Sequence, residues 1–434
     1  QTSLKANFVD IPTDCPQRDE RCGWTGDIAL FAPTAAFNMD IAGFMNKWLG
    51  DLALVQEAVG VVPSIVPSNG FIRDRKSNFW AKIYDKDDAV WGDAAVLVTW
   101  AVFQSNGDVS LLDRQYDSMK AWVEYERTMA EKGALGNRYK KYIWNRGFHL
   151  GDWLAPGENV AQWMVKAKWT STAYFANSAR ILSRAAEILG KEEDAKAYED
   201  LYEKIREAFI HCFVGKDGHI KKGFQSVYVL ALQFGLLEKE QEKLALEDLV
   251  SDIRSRGNHL ATGFVGTDKL PFALSDHGRA DVAYDLLMQE TCPSWLYPVL
   301  CGATSTWERW DALKPDGTIN QSDDGPQDMV SFNHYAYGAV GNWLYTRVGG
   351  LQMTEPGYRK FQLAPIPGGG LTWAKVSHIC PYGKIESRWE IRDGKFVMDF
   401  TVPENTSADV CLPDGTRSTY EPGSYSVECA YEGK

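Results

Sequence analysis

The sequence predicts a mainly helical fold, in which a toroid or solenoid of paired helices is followed by a small antiparallel β-sandwich. Two observations predict it. Apolar side chains recur every three to four positions in successive runs of helical length, and only a few residues separate one run from the next. After about Arg347 the period falls to two, and clusters of Gly and Pro divide short alternating runs. We therefore expect a helical domain over residues 1–347 and a β-sandwich domain over residues 348–434.

The helical runs come in pairs along the first domain. Thr170 and Ser171 are predicted to cap a helix that ends at Gly190. Gly215 and Gly257 end two of the later runs. The short connections between runs favour antiparallel pairs of helices. The predicted helical runs are residues 34–56, 88–104, 110–131, 170–189, 195–209, 227–237 and 240–255.

Hairpin turns interrupt the strand pattern of the second domain. Residues 384–391 and 396–400 alternate between apolar and polar side chains, and the dipeptide Asp393-Gly394 lies between them. Asp-Gly dipeptides adopt the positive φ angles that tight hairpin turns require. The pattern therefore indicates antiparallel strands.

Composition disfavours several classes of partner. The chain has 46 Lys and Arg against 58 Asp and Glu, a formal net charge of -12, so nucleic acid and anionic membrane surfaces are not expected as partners. No run approaches the roughly 20 apolar residues of a membrane span. The 8 cysteines form no CxxC pair and have no His at metal-ligand spacing, so we expect mostly buried, reduced thiols, no metal and no cofactor.

The aromatic content indicates a sugar-binding cleft. The chain has 16 Trp and 19 Tyr residues, more than a core of this size needs, and Trp is rarely buried completely. Flat apolar rings with a polar edge suit the C–H faces of sugars. Core packing is still the expected role of any single Trp considered alone.

The densest group of charged residues lies at residues 13–27, where Pro16, Gly23 and Gly26 predict a loop. A solvated charged turn is the simplest interpretation of such a loop. A second group follows at residues 302–311, where Glu308 stands between two tryptophans, and it could be one solvated amphipathic helical turn. Glycoside hydrolysis, however, needs two carboxyl groups on opposite sides of the scissile bond. Glu20 and Glu308 can supply that pair if the helical ring closes.

The order of six motifs resembles bacterial α-L-rhamnosidases of glycoside hydrolase family 78, over residues 8 to about 390. This resemblance implies an (α/α)6 barrel with a C-terminal β-sandwich, and hydrolysis of terminal α-L-rhamnose with inversion. The upstream β-domains usual in that family are not in this sequence, and its first barrel helix is expected to be truncated. The motifs are DCPQRDERCGWTGD at residues 14–27, WGDAA at 91–95, GDWL at 151–154, TGFVGT at 262–267, TWERWD at 306–311 and NHYAYGAVGNWLY at 333–345.

The resemblance also implies roles for individual residues. Glu20 matches the general acid of the family, and Glu308 matches the general base that deprotonates the attacking water. Inversion predicts roughly 6.5–9.5 Å between their carboxyl groups, and Glu20 needs a raised pKa to act as an acid. The residues assigned to binding of the sugar are Asp14, Arg18, Trp24, Asp27, Trp91, Trp153, Trp310 and His334.

Some charged residues have simpler expected roles. Arg18 and Arg21 should pair with Asp14, Asp19 or Asp27 and not point at Glu20. Asp93 and Asp152 could cap a helix or orient an arginine. The acidic turn at residues 85–88 could bind calcium, but a solvated turn is preferred, and no metal is predicted.

Three alternatives remain open from the sequence. Another (α/α)-barrel glycosidase or a polysaccharide lyase would keep the fold, and a lyase would need a Tyr or His base and an Arg or Asn that neutralises a carboxylate. A non-catalytic sugar-binding protein would keep the aromatic cleft but lack one of the two glutamates. An α-solenoid scaffold for protein partners has no use for buried carboxylates beside Trp.

Overall fold

The computed structural model describes residues 1–18, 21–67, 88–132, 136–147, 149–320 and 330–432. Its α-helices are α1 Thr2–Asn7, α2 Thr25–Asn38, α3 Ala42–Val59, α4 Ala94–Asn106, α5 Val109–Lys132, α6 Val160–Ile188, α7 Glu192–Phe213, α8 Gln225–Gln233, α9 Lys239–Ser255, α10 Phe264–Thr267, α11 Leu270–Ser275, α12 Ala280–Leu287, α13 Leu296–Leu300 and α14 Val340–Trp343. Short 3₁₀ segments occupy Lys140–Tyr142, Ala336–Ala339 and Pro356–Tyr358, and a π-helical turn occupies Leu344–Val348.

The inner helices of the described ranges form a closed ring. In order around the ring α2, α4, α6, α8, α11 and α14 each pack against the next, and α14 packs back against α2. The helices α5, α7, α9 and α12 pack on the outside of their neighbours in the sequence. Closure is held by hydrogen bonds, since the Thr34 hydroxyl donates to the Ala339 carbonyl at 3.0 Å and accepts from the Asn342 N–H at 2.9 Å. This ring confirms the six-hairpin barrel implied by the resemblance.

Two of the predicted helix boundaries are wrong for local reasons. Helix α6 begins ten residues before Thr170, because Asn159 and Gln162 form a capping box at its start. The predicted run at 34–56 is two helices, α2 and α3. The chain turns between them, where the Asp40 side chain accepts a hydrogen bond from the Ala42 N–H at 3.1 Å.

The C-terminal part is formed by two four-stranded sheets. Its strands are β1 Leu351–Met353, β2 Lys360–Leu363, β3 Trp373–Cys380, β4 Gly383–Arg392, β5 Lys395–Val402, β6 Ser407–Cys411, β7 Arg417–Tyr420 and β8 Gly423–Ala430. One sheet has the order β1-β2-β6-β7 and the other β3-β4-β5-β8. All described pairs are antiparallel except β2 with β6, which is parallel.

Aromatic side chains join the two sheets to each other and to the barrel. Phe400 of β5 packs edge-on against Tyr420 of β7, with ring centroids 5.1 Å apart. At the barrel, Phe37 of α2 packs against His378 of β3 at 5.2 Å. The Trp389 indole donates to the Val348 carbonyl at 2.8 Å, which ties β4 to the end of the π-helical turn that follows α14.

Two further features bear on the sequence analysis. No helix among the residues that the structure describes has both the length and the apolar character of a membrane span. All eight cysteines are free thiols, of which Cys15, Cys22, Cys380 and Cys429 are buried and Cys301 is exposed.

Candidate active site

The residues predicted for the site gather where inner helices begin. Asp27 lies in the first turn of α2, Trp91 just precedes α4, and His334 just precedes the 3₁₀ segment that leads into α14. Glu308 is in an irregular segment whose backbone N–H donates to the Ser331 carbonyl at 2.9 Å. Arg18 comes from the loop before α2. Ring closure therefore brings residues from both ends of the barrel domain to one place.

Arg18 connects two buried carboxylates. Its guanidinium donates to Glu308 Oε2 at 2.7 Å through Nη1, and to Asp14 Oδ2 at 2.7 Å through Nη2. Side chains of Asp14 and Glu308 are only 1% and 2% exposed. The expected pairing of Arg18 with Asp14 is found, and Glu308 is a second partner that the sequence did not reveal.

Glu308 is a buried carboxylate, which rules out the solvated helical turn considered from the sequence. Burial raises the pKa of Glu308, while the positive charges of His334 and Arg18 lower it, and the net direction is upward. The charges limit the increase that burial alone would cause. A carboxylate fixed by Arg18 and tuned in this way is suited to accept a proton from water.

His334 forms a second buried pair with Asp27. Its Nε2 lies 2.5 Å from Asp27 Oδ1, and the two side chains are 3% and 5% exposed. Burial alone would lower the pKa of His334, but the charges of Asp27 and Glu308 raise it to about 9. Within the described residues, Nδ1 of this ring has no hydrogen-bond partner. A charged imidazolium therefore has one buried N–H that donates to no described group.

The loop that carries Arg18 is fastened at both ends. Asp14 Oδ1 accepts the Cys22 N–H at 3.0 Å, and Gln17 donates to the Ser331 hydroxyl at 2.8 Å. Because Asp14 and Asp27 are both buried, the interpretation of this loop as a solvated turn is wrong.

The predicted tryptophans differ in how much of each ring is available. Trp91 and Trp310 are 2% and 4% exposed, and Trp310 stacks on Tyr337 with centroids 4.0 Å apart. Trp24 and Trp153 are half-buried. Trp24 and Trp153 therefore offer more open ring surface for a sugar. Trp91 and Trp310 can contact a sugar only through a ring edge, or they support neighbouring side chains.

The carboxylates of Asp93 and Asp152 have structural partners. Asp152 accepts the backbone N–H groups of Gly263 and Val265 at 2.9 and 3.0 Å and the hydroxyl of Ser226. Asp152 therefore caps the start of α10, which is one of the two structural roles expected for it from the sequence. Burial raises the pKa of Asp152 to about 6, although these hydrogen bonds oppose the shift.

Several predicted features lie outside the described residues. They are Glu20, Asp19 and residues 85–87 of the acidic turn. The carboxyl separation expected between Glu20 and Glu308 is therefore not measured. Within the described ranges, no group of three or more His, Cys, Asp or Glu side chains could hold a metal ion.

Comparison with known proteins places this site in a family. A family model for the bacterial alpha-L-rhamnosidase 6 hairpin glycosidase domain matches residues 1–348, and one for the bacterial alpha-L-rhamnosidase C-terminal domain matches residues 350–426. The chain belongs to the bacterial α-L-rhamnosidase family.

Relatives and solved structures agree with this assignment. An alpha-L-rhamnosidase of Streptomyces avermitilis is 40% identical over 94% of this chain and 36% of its own length, and one of Alteromonas sp. is 36% identical over 99% and 44%. The crystal structure of an Aspergillus terreus rhamnosidase has a TM-score of 0.88 at 35% identity, covering 99% of this chain and 48% of its own. The S. avermitilis structure, solved with L-rhamnose, has a TM-score of 0.86 at 38% identity, covering 98% and 40%. The chain thus spans less than half the length of these relatives.

Some residues of this rhamnosidase domain were not found from the sequence. Ser178 and Ser226 donate to the buried carboxylates of Asp93 and Asp152, and no local pattern marks them. Glu126 is different. It lies on α5 in the buried stripe that contains Tyr116, Met119 and Trp122, so a charged residue at an apolar position was visible in the helical spacing.

Proposed function

We propose that this chain releases terminal α-L-rhamnose from rhamnosides such as plant glycosides or polysaccharide side chains, with inversion at the anomeric carbon. The observation that carries the proposal is the buried Glu308 carboxylate held by Arg18 beside the His334–Asp27 pair. Membership of the rhamnosidase family supports the choice of sugar, as does the relative solved with L-rhamnose.

Each group has a defined role in the proposed reaction. Glu20 donates a proton to the glycosidic oxygen while the bond from that oxygen to the anomeric carbon breaks. A water attacks the opposite face of the sugar, and Glu308 takes its proton as the new C–O bond forms. Arg18 keeps Glu308 ionised and oriented until that step.

The remaining polar groups are suited to recognise the sugar hydroxyls. In the proposal the Asp14 and Asp27 carboxylates accept hydrogen bonds from ring hydroxyls, and the free N–H of His334 donates to one. Rhamnose carries a methyl group at C6, where a hexose with a hydroxyl would need a polar partner. The half-buried rings of Trp24 and Trp153 offer the apolar contact that the methyl group needs.

The lyase alternative is disfavoured by the position of Arg18. A lyase needs a basic group that neutralises the carboxylate of a uronic acid, but the Arg18 guanidinium already bonds two protein carboxylates. A cleft that binds sugar without cleaving it is separated from the proposal by the experiment below.

The test is hydrolysis of an aryl α-L-rhamnoside by the wild-type chain and by Glu20→Gln and Glu308→Gln. Loss of general acid or base catalysis should lower kcat by about 10²–10⁴-fold in each variant. Asp311→Asn is the matched control for Glu308, because Asp311 lies in the same segment but pairs with Arg309 at 3.0 Å and is 48% exposed. Wild-type turnover in either Gln variant removes that residue from its role, and an inactive wild type that still binds rhamnose indicates the binding protein.

A further inference from the structure

A second pair of buried carboxyl groups lies behind the wall of the candidate site. Glu126 is on α5 and Asp93 is at the start of α4, and each has 0% of its surface exposed. Neither has a part in the proposed chemistry. Two carboxyl groups buried side by side cannot both be ionised without a large cost, so one of them should hold a proton.

The hydrogen bonds show which of the two is the anion. Both oxygens of Asp93 accept hydrogen bonds, one from the Val90 N–H at 2.7 Å and the other from the Ser178 hydroxyl. Neither oxygen of Glu126 accepts a hydrogen bond from any described group. Burial raises the pKa of Glu126 well above its usual value, and the charge of Asp93 raises it further. Glu126 is therefore the neutral acid of the pair, and Asp93, whose charge acts on Glu126, is the acceptor for its proton.

Asp93 holds a strained segment at the site. Val90 has a φ of 78°, a left-handed conformation that costs free energy in a β-branched residue and persists only when its surroundings fix it. Next along the chain, the ring of Trp91 packs so tightly on Gly26 that a Cβ there would lie 2.6 Å from it. Gly26 immediately precedes Asp27, the partner of His334. The strained Val90 is therefore next to Trp91, and the Trp91 ring contacts the residue that precedes Asp27 of the polar site.

The other side of the segment is clamped by the helix that carries Glu126. A Cβ at Gly92 would lie 2.0 Å from the Trp122 ring, one turn before Glu126 on α5. Residues 90–93 are therefore enclosed between α5 and the first turn of α2.

We propose that Glu126 is a positioning residue of this site. As a buried carboxylic acid it donates a hydrogen bond to Asp93, and through Asp93 it fixes residues 90–93 and the Trp91 ring against the start of α2. The expected effect of Glu126 on catalysis rests on the proposed rhamnosidase function. The hydrogen-bonded pair of Glu126 and Asp93 does not rest on it.

The test compares Glu126→Gln and Glu126→Leu with the wild-type chain. Gln keeps a neutral donor and should leave kcat and KM for an aryl α-L-rhamnoside within about twofold, while Leu leaves Asp93 without its donor and should raise KM about tenfold to hundredfold with a smaller change in kcat. Glu131→Leu is the matched control, since Glu131 lies on the same helix but is 49% exposed. Wild-type KM in Glu126→Leu overturns the positioning role.

An infrared measurement tests the acid itself and needs no activity. The wild type at neutral pH should show carbonyl stretching bands of protonated carboxylic acids, and one component should be lost in Glu126→Gln but retained in Glu131→Gln. If Glu126→Gln loses no such component, the proposal is wrong even where the rhamnosidase function holds. This comparison needs neither rhamnosidase activity in the wild type nor a folded Glu126→Leu variant.

Discussion

At the scale of single residues, Arg18 is the side chain on which the site depends. Its guanidinium forms a hydrogen bond to each of two buried carboxylates. A planar group with several N–H donors can satisfy both, whereas a lysine ammonium acts as a point charge. Without Arg18, Asp14 and Glu308 would be two buried like charges.

Arg18→Gln should therefore change the pH dependence of catalysis. Arg18 lowers the pKa of Glu308 against the effect of burial, so its removal raises that pKa further. Glu308 must be ionised to act as a base, and the acidic limb of the kcat/KM profile should move to higher pH.

The same profile for Arg309→Gln is the control, because Arg309 pairs with Asp311 in the same segment. An acidic limb that stays in place in Arg18→Gln would show that Glu308 does not control it.

Residue identities were easier to predict than residue contacts. Glu308 between two tryptophans, and Asp14, Arg18 and Asp27 in one loop, were visible in the sequence. The contact between His334 and Asp27 was not, because 307 positions separate the two residues and no local pattern encodes the distance.

At the scale of elements, one buried carboxylate satisfies backbone groups at the start of a helix. Asp152 accepts two N–H groups from the start of α10 and the hydroxyl of Ser226 on α8. One side chain thereby joins a loop to two helical segments. In a buried environment each of these donors would otherwise lack a partner.

Asp152→Ala should lower the free energy of unfolding by about 2–4 kcal/mol, because three buried donors lose their acceptor. Ser226→Ala removes only one of the three bonds and should cost about 1 kcal/mol. Urea denaturation of both variants measures the difference. Equal losses in the two variants would mean that Asp152 does not cap α10.

Inner helices were harder to predict than outer ones for a physical reason. The first ten residues of α2, apart from Pro33, are all buried. A helix that is buried on every side has no exposed polar face, so its sequence lacks the alternation of apolar and polar faces that marks a helix. The outer helix α7 has a polar face, and its run at 195–209 lies within the observed Glu192–Phe213. Strand β4 was predictable because buried side chains alternate with exposed or half-buried ones along most of its length.

At the scale of the whole molecule, the two parts of the chain meet at an aromatic cluster. His378 of β3 packs against Phe37 of the barrel and against Tyr358, with ring centroids 5.2 and 4.6 Å apart. Burial lowers the pKa of His378 to about 4 from 6.5. The interface therefore contains the neutral imidazole.

This pKa makes stability depend on pH in one direction. A histidine whose pKa is lowered by folding contributes fully to the free energy of unfolding above its unfolded pKa of 6.5. That contribution is lost as pH falls toward the folded pKa of about 4. The wild type should lose about 2–3 kcal/mol relative to His378→Gln over that window. Denaturation at several pH values checks this, with His211→Gln as the exposed control, and parallel curves for wild type and His378→Gln would contradict it.

Ring closure is the property that the sequence could not supply. Helix periodicity is a local property, and it could not distinguish a closed toroid from an open solenoid. Closure depends on contacts such as Thr34 with Asn342, between the first and the last inner helix. Only the resemblance to a family predicted six hairpins.

In the proposed reaction Glu308 activates water on the face opposite the leaving group, and this geometry predicts inversion at the anomeric carbon. Proton NMR can follow the anomeric configuration of the sugar first released from an aryl α-L-rhamnoside. We expect β-L-rhamnose as the initial product, followed by mutarotation to the α anomer. Initial release of α-L-rhamnose would contradict the assignment, because it requires a covalent intermediate in place of a water held by Glu308.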